Sequence, residues 1–420
     1  MRLVKKILKG QLMTPQSFSY GTVSSTGMIY LPPYGLNESL NYMLKVDPLT
    51  YAVTKISLEV DSSVEKWIWG VEYQGKIYFL PYGENKVLIV DTKDDSVSYV
   101  LLSRTGHGKY VMGHLYNGKI FALPHGDITE FDYVLIFDLE TETVQQQKLD
   151  LPINDTKKWH TSQLLNGIIY AMPRGDRTEQ PYFPFRIEYS CDTLEYKLVD
   201  LSDLWIDIDK ESYAGTKYTT LAKYKDKLFA PPYSRNSNFD TMAKFSNNEW
   251  TYFQTGQKST SRKYYAHTVS KNGKIYFPPA GHDESWAELM IVDGETENVT
   301  IKELGIAKES KKYFAGSENS QAKIYYIPRG GCVCMPKEEW KAFGDLTEIL
   351  VIDTADDSSY TIDVSEHYKD CTTIEKYNNC VIVNDKIFAL PYGESDGFQD
   401  ILVFDTLTET VVKKINLNDL

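Results

Sequence analysis

One short pattern, repeated along the whole chain, limits the possible folds more than any other feature of the sequence. In its clearest copy, residues 117–126 read NGKIFALPHG: a turn, a run of aliphatic and aromatic residues, and a proline followed by one variable residue and a glycine. Eight copies end at the prolines Pro32, Pro81, Pro124, Pro173, Pro231, Pro278, Pro328 and Pro391. Intervals of 43 to 63 residues are typical of arrays of one supersecondary unit.

Two further segments accompany these copies. A lysine followed by an aromatic residue lies 14 to 16 residues before seven of the prolines, whereas the first copy has Ser19 and Tyr20 instead. A short apolar run ending in Asp, such as LIVD at 88–91, follows most prolines, but the fourth and fifth copies depart from it with RIEY at 186–189 and AKF at 243–245. Asp can bind the backbone of the turn that follows it, so we interpret these Asp residues as structural.

Each unit therefore contains four short strands with no helical period between them. Such units, about 50 residues long, predict the blades of a β-propeller. We predict an all-β fold, an eight-bladed β-propeller of four-stranded antiparallel blades, as a single domain over residues 1–420. The repeats span about 18–58, 66–102, 109–150, 158–200, 217–253, 263–303, 312–364 and 376–417. Residues 411–417 supply the outer strand of the last blade, and residues 1–17 either pair beside it or form a short helix.

The net charge and the cysteine content limit the kinds of partner and the cellular compartment that we expect for this protein. The chain of 420 residues has a formal net charge of -13, which disfavours nucleic acid because nonspecific binding draws on a basic surface. No run of about 18 apolar residues exists, so we expect no transmembrane helix and no membrane partner. The 5 cysteines are odd in number and irregularly spaced, which favours reduced thiols and a cytoplasmic protein over a disulfide framework.

The repeat resembles that of kelch-type β-propellers over about residues 18–417. The resemblance rests on the period, the strand order and the turn-strand NGKIY at 272–276. A kelch blade ends its second strand in Gly-Gly, whereas this chain has Pro-x-Gly, and only Gly330 and Gly331 keep the glycine pair. The resemblance implies the propeller fold and a function among those of kelch-like propellers, which include binding scaffolds, sugar oxidases and sialic-acid epimerases. It carries over no catalytic set, since we find no Tyr–Cys–His arrangement typical of a copper site and no sialidase-type Asp box.

The strand order predicts which end of the propeller carries function. The Lys-aromatic pair and the Pro-x-Gly residues lie at the same end of each blade, which we call the top. The other end holds only tight turns, whereas the top also receives the long connections at 202–216, 330–347 and 365–375. Because function tends to lie on long loops held by a rigid scaffold, we expect the site on the top, around the mouth of the central channel.

Two sets of top-face residues are candidates for ligand binding. The variable Pro-x-Gly positions are Tyr34, Tyr82, His125, Arg174, Tyr233, Ala280, Arg329 and Tyr392, most of them large with a polar tip. The repeated lysines are Lys66, Lys109, Lys158, Lys217, Lys263, Lys312 and Lys376. Aromatic rings with clustered cations suit a ligand that bears carboxylate, phosphate or sugar hydroxyl groups. The alternative is that the lysines form structural ion pairs with the acidic residues after the Pro-x-Gly breaks, namely Glu84, Asp127, Asp176, Asp283 and Glu394.

Histidines give a third set of candidates. His160 and His267 follow the repeated lysines closely, and with His125 they would be positioned for acid-base chemistry or metal binding if they converged. Ordinary hydrogen-bonded histidines are the alternative. Cys332 and Cys334 are spaced more closely than zinc ligands usually are, so we predict no metal and no cofactor.

The sequence thus leaves three classes of function open. The first is a ligand-binding propeller whose top face takes an anionic or polyhydroxylated small molecule or glycan. The second is an enzyme at the same face, an epimerase, lyase or hydrolase acting on carbohydrates or sugar acids, with no catalytic residue assigned. The third is a protein-interaction scaffold that uses residues 330–347 as its contacting arm. The sequence does not predict an oligomeric state.

Overall fold

The predicted architecture is confirmed. In the computed structural model, eight four-stranded antiparallel sheets form an eight-bladed propeller, and each sheet takes its four strands in chain order. The structure describes residues 18, 20–34, 40–61, 65–126, 131–153, 157–174, 183–205, 216–234, 239–257, 263–281, 286–306, 312–330, 346–368, 376–392 and 399–420. Within these residues, no helix is long and apolar enough to cross a membrane.

The first four blades come from the first half of the chain. Blade 1 is β1 Thr22–Val23, β2 Ile29–Leu31, β3 Tyr42–Val46 and β4 Val53–Ser57; blade 2 is β5 Trp67–Tyr73, β6 Lys76–Pro81, β7 Lys86–Asp91 and β8 Val97–Leu101. Blade 3 is β9 His114–Tyr116, β10 Lys119–Ala122, β11 Tyr133–Asp138 and β12 Thr143–Lys148; blade 4 is β13 Trp159–Leu165, β14 Ile168–Pro173, β15 Phe185–Ser190 and β16 Tyr196–Asp200.

The second half repeats the arrangement. Blade 5 is β17 Ala222–Tyr224, β18 Lys227–Ala230, β19 Thr241–Ser246 and β20 Glu249–Gln254; blade 6 is β21 Thr268–Val269, β22 Lys274–Phe277, β23 Glu288–Asp293 and β24 Val299–Glu303. Blade 7 is β25 Tyr313–Glu318, β26 Lys323–Pro328, β27 Glu348–Asp353 and β28 Ser359–Asp363; blade 8 is β29 Tyr377–Val383, β30 Lys386–Pro391, β31 Asp400–Asp405 and β32 Thr410–Asn416. The described 3-10 helices are Ser202–Trp205, Ser365–Tyr368 and Leu417–Asp419.

The sequence pattern explains this layering. The second and third strands of a blade are almost continuously apolar and are buried on both faces, because each blade lies between two neighbours. The fourth strand alternates between half-buried and exposed residues, as expected of a strand with one face in solvent. The core is therefore a ring of clusters between neighbouring blades, such as the one that joins Tyr30 and Met43 of blade 1 to Trp67 and Phe79 of blade 2.

The turn residues behave as predicted. Asp138 Oδ1 accepts hydrogen bonds from the backbone N–H of Thr141 at 3.0 Å and of Glu140 at 3.2 Å, and Asp405 of blade 8 accepts in the same way from Leu407 and Thr408. These backbone donors lower the pKa of the Asp138 carboxyl. The Asp residues that close the third strands are therefore structural.

Acidic residues at the next turn position link neighbouring blades. Each occupies the left-handed region of backbone space, with φ between 50° and 64°, and receives a lysine of the preceding blade. The pairs are Lys45–Asp95 at 2.8 Å, Lys76–Glu142 at 2.6 Å, Lys244–Glu297 at 2.6 Å, Lys274–Asp357 at 2.6 Å and Lys323–Glu409 at 3.1 Å. The interface between blades 4 and 5 differs, since Ile168 replaces the lysine and Asn248 the acidic residue.

The ring closes by direct contact between blades 8 and 1. Leu31 of blade 1 shares one apolar cluster with Phe388 and Ile401 of blade 8, and Lys55 Nζ donates to the Leu420 carbonyl at 2.7 Å. The outer strand predicted at 411–417 is observed as β32. Residues 1–17, for which the sequence left two roles open, lie outside the described residues.

Candidate functional site

A circle of main-chain hydrogen bonds runs around the top of the propeller. In each of blades 2 to 8, the amide N–H of the variable Pro-x-Gly residue donates to the carbonyl of the repeated lysine of the same blade, at 2.7 to 2.9 Å. From blade 3 to blade 8, the lysine N–H donates in turn to the Pro-x-Gly carbonyl of the preceding blade, at 2.8 to 3.1 Å. We call this arrangement the backbone ring. It fixes the main chain at the Pro-x-Gly positions of blades 2 to 8, whichever side chain the position carries.

The repeated lysines lie inside the protein. Their side chains are fully buried, apart from a 2% exposed fraction at Lys217. Lys109 Nζ donates to the Gly83 carbonyl at 3.2 Å, and Lys158 Nζ lies 3.1 Å from Asp132 Oδ1. These ammonium groups therefore bind the connection between the second and third strands of the preceding blade.

Burial also shifts the ionisation of these lysines. It lowers the pKa of Lys109, Lys263 and Lys312 to about 8, and with the nearby charge of Lys263 it lowers the pKa of Lys217 to about 7. At Lys109, the buried Glu84 opposes the shift, as the ion-pair alternative anticipated. Asp127, Asp176, Asp283 and Glu394, the other acids of that alternative, lie outside the described residues.

The aromatic residues that follow the lysines pack between blades. Trp67, Tyr110, Trp159, Tyr218, Tyr264, Tyr313 and Tyr377 all belong to the interblade clusters. In blade 1 this place is taken by Phe18, which is fully buried, and not by Tyr20. Tyr20 instead contacts Tyr34 with ring centroids 5.1 Å apart. The sequence alignment of the first copy is corrected accordingly.

The Pro-x-Gly side chains meet those of a second set, which comes from the start of the first strands. Each side chain of this path contacts the next, in the order Tyr20, Tyr34, Tyr82, His125, His160, Tyr265, Phe314, Arg329 and Asn378. Asn378 Nδ2 closes the path by donating a hydrogen bond to the Tyr20 hydroxyl at 3.4 Å. The ring-centroid distances along this path are 4.2 to 6.5 Å. Since the path visits blades 1, 2, 3, 4, 6, 7 and 8 in order and closes, it surrounds the propeller axis. We call it the mouth ring. Tyr233 and Tyr392 contact it through Tyr265 and Arg329.

The sequence did not predict Tyr20, Tyr265, Phe314 and Asn378 as members of the site. Tyr265, Phe314 and Asn378 come one residue after the repeated aromatic. Strand register shifts at this point in blades 2, 4, 7 and 8, and such bulges redirect side chains. The sequence did contain one signal that could have identified them. Side chains alternate along a strand, so the residue after the buried aromatic points to the face opposite that aromatic, which is the face of the repeated lysine.

One arc of the mouth ring is a hydrogen-bonded chain with defined proton positions. Arg174 Nη1 lies 2.9 Å from His160 Nδ1, and His160 Nε2 lies 2.9 Å from the Tyr265 hydroxyl. Because arginine only donates, Nδ1 of His160 accepts, so the neutral imidazole carries its proton on Nε2 and donates it to Tyr265. The Tyr265 ring stacks on Phe314 at 4.2 Å. This arc holds a tyrosine hydroxyl that can donate toward the channel.

A second arc presents a fixed guanidinium. Arg329 is held between Phe314 and Tyr392, with its central carbon 4.1 and 4.3 Å from the two ring centroids, and it donates to Asn378 Oδ1. Only 5% of Arg329 is exposed. Because aromatic rings cover both faces of the guanidinium, an anion would bind to the N–H groups along its edge.

A third arc is acidic. The Tyr34 hydroxyl donates to Glu65 Oε1 at 3.0 Å, and His107 Nε2 lies 3.3 Å from Glu65 Oε2. Burial raises the pKa of Tyr34 and Tyr20, and the Glu65 carboxylate adds to the rise. Both hydroxyls are therefore protonated near neutral pH and act as hydrogen-bond donors.

The three histidine candidates do not form one group. His125 and His160 contact each other with ring centroids 5.5 Å apart, and His125 Nδ1 lies 2.7 Å from the Trp159 carbonyl. His267 instead faces Thr220 Oγ1 at 2.6 Å, and burial lowers its pKa to about 4. No group of three or more His, Cys, Asp or Glu that could hold a metal occurs among the described residues.

The cysteines and the long arm are only partly covered by the structure. Cys191 and Cys380 are buried and unbonded, and burial raises the pKa of both thiols to about 12. Cys332, Cys334 and Cys371 lie outside the described residues, as do residues 331–345 of the arm suggested for protein interaction.

Comparison with known proteins gives the fold. No protein-family model matches the chain, and no curated protein matches it. Among solved structures, apo AztD from Citrobacter koseri aligns with a TM-score of 0.55 and 10% identity over 90% of this chain and 93% of its own. The dihydro-heme d1 dehydrogenase NirN in complex with DHE aligns with a TM-score of 0.58 and 9% identity over 90% of this chain and 71% of its own. At such identities the likeness is one of fold alone.

Proposed function

We propose that this propeller binds an anionic or polyhydroxylated small molecule or glycan at the mouth ring. The observation that carries the proposal is the closed circuit of tyrosine, histidine, arginine and phenylalanine side chains around the axis. Aromatic faces with a few oriented polar groups are typical of sites for small molecules. The backbone ring beneath fixes these side chains in advance, which lowers the entropic cost of binding.

The charges within the mouth ring favour one orientation of the ligand. Arg174 and Arg329 supply guanidinium groups that suit a carboxylate or phosphate. Tyr34 and Glu65 on another arc suit hydroxyl groups, since a ligand hydroxyl can donate to the phenol oxygen or to the carboxylate while the phenol itself donates to Glu65. A hydroxylated carboxylate, such as a sugar acid, would satisfy both arcs at once.

In this proposal the contacts come from Tyr34, Tyr82, His125, His160, Arg174, Tyr233, Arg329 and Tyr392. The buried lysines act from below, as supports of the backbone ring and as a source of positive potential beneath the mouth. His267 lies at a deeper position and has no direct contact role.

The test is calorimetric titration with glucuronate, gluconate, a sugar phosphate and neutral monosaccharides. We expect Arg174→Ala and Arg329→Ala each to weaken binding of the acidic probes by roughly tenfold to a hundredfold, since a lost charge-assisted hydrogen bond costs about 1.5–3 kcal/mol. Arg104→Ala is the matched control, because Arg104 is exposed beside the outer strand residue Gln146. Unchanged affinity in both variants, or equal loss in the control, would refute the site.

A second candidate function is favoured by the Arg174–His160–Tyr265 chain. The hydroxyl of Tyr265 accepts from His160 and can pass its own proton to a bound substrate, as a general acid does in an epimerase, lyase or hydrolase. If the site is catalytic, Tyr265→Phe will retain binding of sugar acids but lose their turnover, as measured by proton NMR of the probe. A wild-type protein that leaves every bound probe unchanged rules this function out.

A further inference from the structure

A second cleft opens on the outer side of the interface between blades 4 and 5. Its volume is about 700 Å³, within the range of small-molecule sites. The wall on the blade 5 side is aromatic: Phe245, Trp250 and Tyr252 line it, with Tyr170 of blade 4 packed on Phe245 at 4.9 Å. The cleft shares no lining residue with the mouth ring.

Arg186, on the floor of this cleft, breaks the repeat, whereas the position of its neighbour Glu188 is also charged in blades 1 and 5, as Lys45 and Lys244. Arg186 and Glu188 lie on the face of β15 that points to the next blade. The residues that correspond to Arg186 in the other seven blades are apolar and buried: Met43, Val87, Val134, Met242, Leu289, Ile349 and Ile401. Replacing such a residue with a charged one disfavours folding, because a buried charge loses its hydration. The departure therefore has no explanation in the packing of the blades.

The Arg186 guanidinium is buried with unused hydrogen-bond donors. Only 5% of the residue is exposed, its central carbon lies 4.6 Å from the Trp250 ring centroid, and Nη2 is 3.0 Å from Glu188 Oε1. Nε and Nη1 have no partner at good hydrogen-bond geometry, and neither does Trp250 Nε1. The Tyr252 hydroxyl interacts with the Arg186 guanidinium, which opposes the rise in the pKa of Tyr252 that burial causes, but the proton of the hydroxyl has no acceptor. Donors of three side chains in one cleft thus lack acceptors, where nearly all buried polar groups in proteins are satisfied.

The lysine and the acid that join other blades are both replaced at this cleft. Five interfaces place an ion pair at this level, whereas Ile168 and Asn248 stand here. At two further interfaces, between blades 3 and 4 and between blades 8 and 1, Leu194 and Tyr51 replace the acid alone.

We infer that this cleft is a saccharide-binding site, distinct from the mouth ring. The aromatic wall offers flat faces for the C–H surface of a sugar ring. The unpaired donors of Arg186, Trp250 and Tyr252 require acceptors, which hydroxyl and ring oxygens supply. The cleft is also lined by four carboxylates, Glu188, Asp200, Asp203 and Glu249, and by one further cation, Lys197. These carboxylates can accept hydrogen bonds from sugar hydroxyl groups, and they repel phosphate.

The repeat itself supplies a precise variant for the test. Arg186→Val with Glu188→Ile recreates the Val–Ile pair that blades 2 and 3 hold at these positions, as Val87 and Ile89, and as Val134 and Ile136. This double variant should unfold at a higher urea concentration than the wild type, because the buried charges are removed. It should also lose saccharide binding.

The assay is ligand-observed NMR and calorimetry with glucose, galactose, mannose, N-acetylglucosamine and inorganic phosphate at millimolar concentration. We expect at least one sugar to bind the wild type, with affinity reduced more than about tenfold in the double variant and in Trp250→Leu. Tyr360→Leu, an aromatic loss on the outer strand of blade 7, should leave that affinity unchanged.

Three results would overturn the inference: no sugar binds the wild type, the sugar binds equally well to the double variant and to Trp250→Leu, or phosphate binds this cleft more tightly than every sugar. Trp250→Leu decides the matter if the double variant does not fold. The double variant and Trp250→Leu change only residues of the cleft, whereas the mouth ring is tested by Arg174→Ala and Arg329→Ala with acidic probes, so failure of one proposal is separable from failure of the other.

Discussion

The buried lysine of blade 5 should make the protein more stable as pH rises above neutrality. Lys217 is 2% exposed, and burial together with the nearby charge of Lys263 lowers its pKa from the ordinary value of 10.5 to about 7. Between these two pKa values the unfolded chain binds more protons than the folded one. The free energy of unfolding therefore increases with pH across this window.

The size of the effect follows from the two pKa values. At about pH 7 the folded lysine is half protonated, and at about pH 9 it is almost wholly neutral, whereas the unfolded lysine remains protonated throughout. Integrating the difference in bound protons, at about 1.36 kcal/mol per pH unit, gives a gain of about 2 kcal/mol from pH 7 to pH 9. Lys217→Met removes this titration, so its stability should rise by about 2 kcal/mol less than that of the wild type.

Urea unfolding at the two pH values, followed by tryptophan fluorescence and circular dichroism, measures the difference. Comparison of variant with wild type cancels the contribution of Lys109 and Lys312, which burial shifts in the same direction. Lys263, whose charge acts on Lys217, contributes to the difference. Lys217→Arg is the companion variant: its charge is permanent, so it should lack the rise with pH as Lys217→Met does, yet be the less stable of the two at pH 9. If the free energy of unfolding of Lys217→Met rises with pH as much as that of the wild type, the argument that this ammonium group is buried at an energetic cost is refuted.

Two further predictions concern contacts between and within blades. Glu297→Gln should lower the free energy of unfolding at neutral pH by about 1–2 kcal/mol, because Glu297 accepts hydrogen bonds from Lys244 and Ser246 at 2.6 Å and these donors lower its pKa to about 2. The advantage of the wild type over this variant should disappear as the pH falls from about 4.5 toward 2, which the urea midpoints of the two proteins will show. Gly316→Ala should lower the free energy of unfolding by about 1–3 kcal/mol, since an added Cβ would lie 2.2 Å from the ring of the buried Tyr326. Gly305→Ala is the control and should be nearly neutral, because nothing lies within 4 Å of a Cβ added there.

The fold was readable from the sequence because one strand pattern occurs in eight copies. Constant spacing between the lysine and the proline predicted that both ends of the first hairpin lie on one face, and the pairing of Trp67 with Pro81 and of Tyr377 with Pro391 agrees. Local alternation and turn chemistry are properties of a few neighbouring residues, so they can be recognised without a structure.

The site was readable only in part, for physical reasons that involve distant residues. The sequence does not reveal that the lysine ammonium groups reach carbonyls of the preceding blade, since those carbonyls belong to main chain about 25 residues away. Tyr265 and Phe314 enter the mouth ring because of a local shift in register, which depends on the pairing of whole strands. Arg186, by contrast, was visible as a break in the repeat, and its meaning needed the unpaired donors and the cleft around it.

The backbone ring has a consequence for how this scaffold can change. The hydrogen bonds that hold the Pro-x-Gly positions are made by main-chain atoms alone, and the same bonds form around His125, Arg174 and Ala280. Selection can therefore exchange the side chains at these positions without renegotiating the architecture below them. Several of these side chains are buried, with Tyr233 at 1% and Ala280 at 0% exposure, so each replacement must still fit the space around it. New specificities should therefore be sought by exchanging, among positions 82, 125, 174, 233, 280, 329 and 392, the residues that the blades already use there.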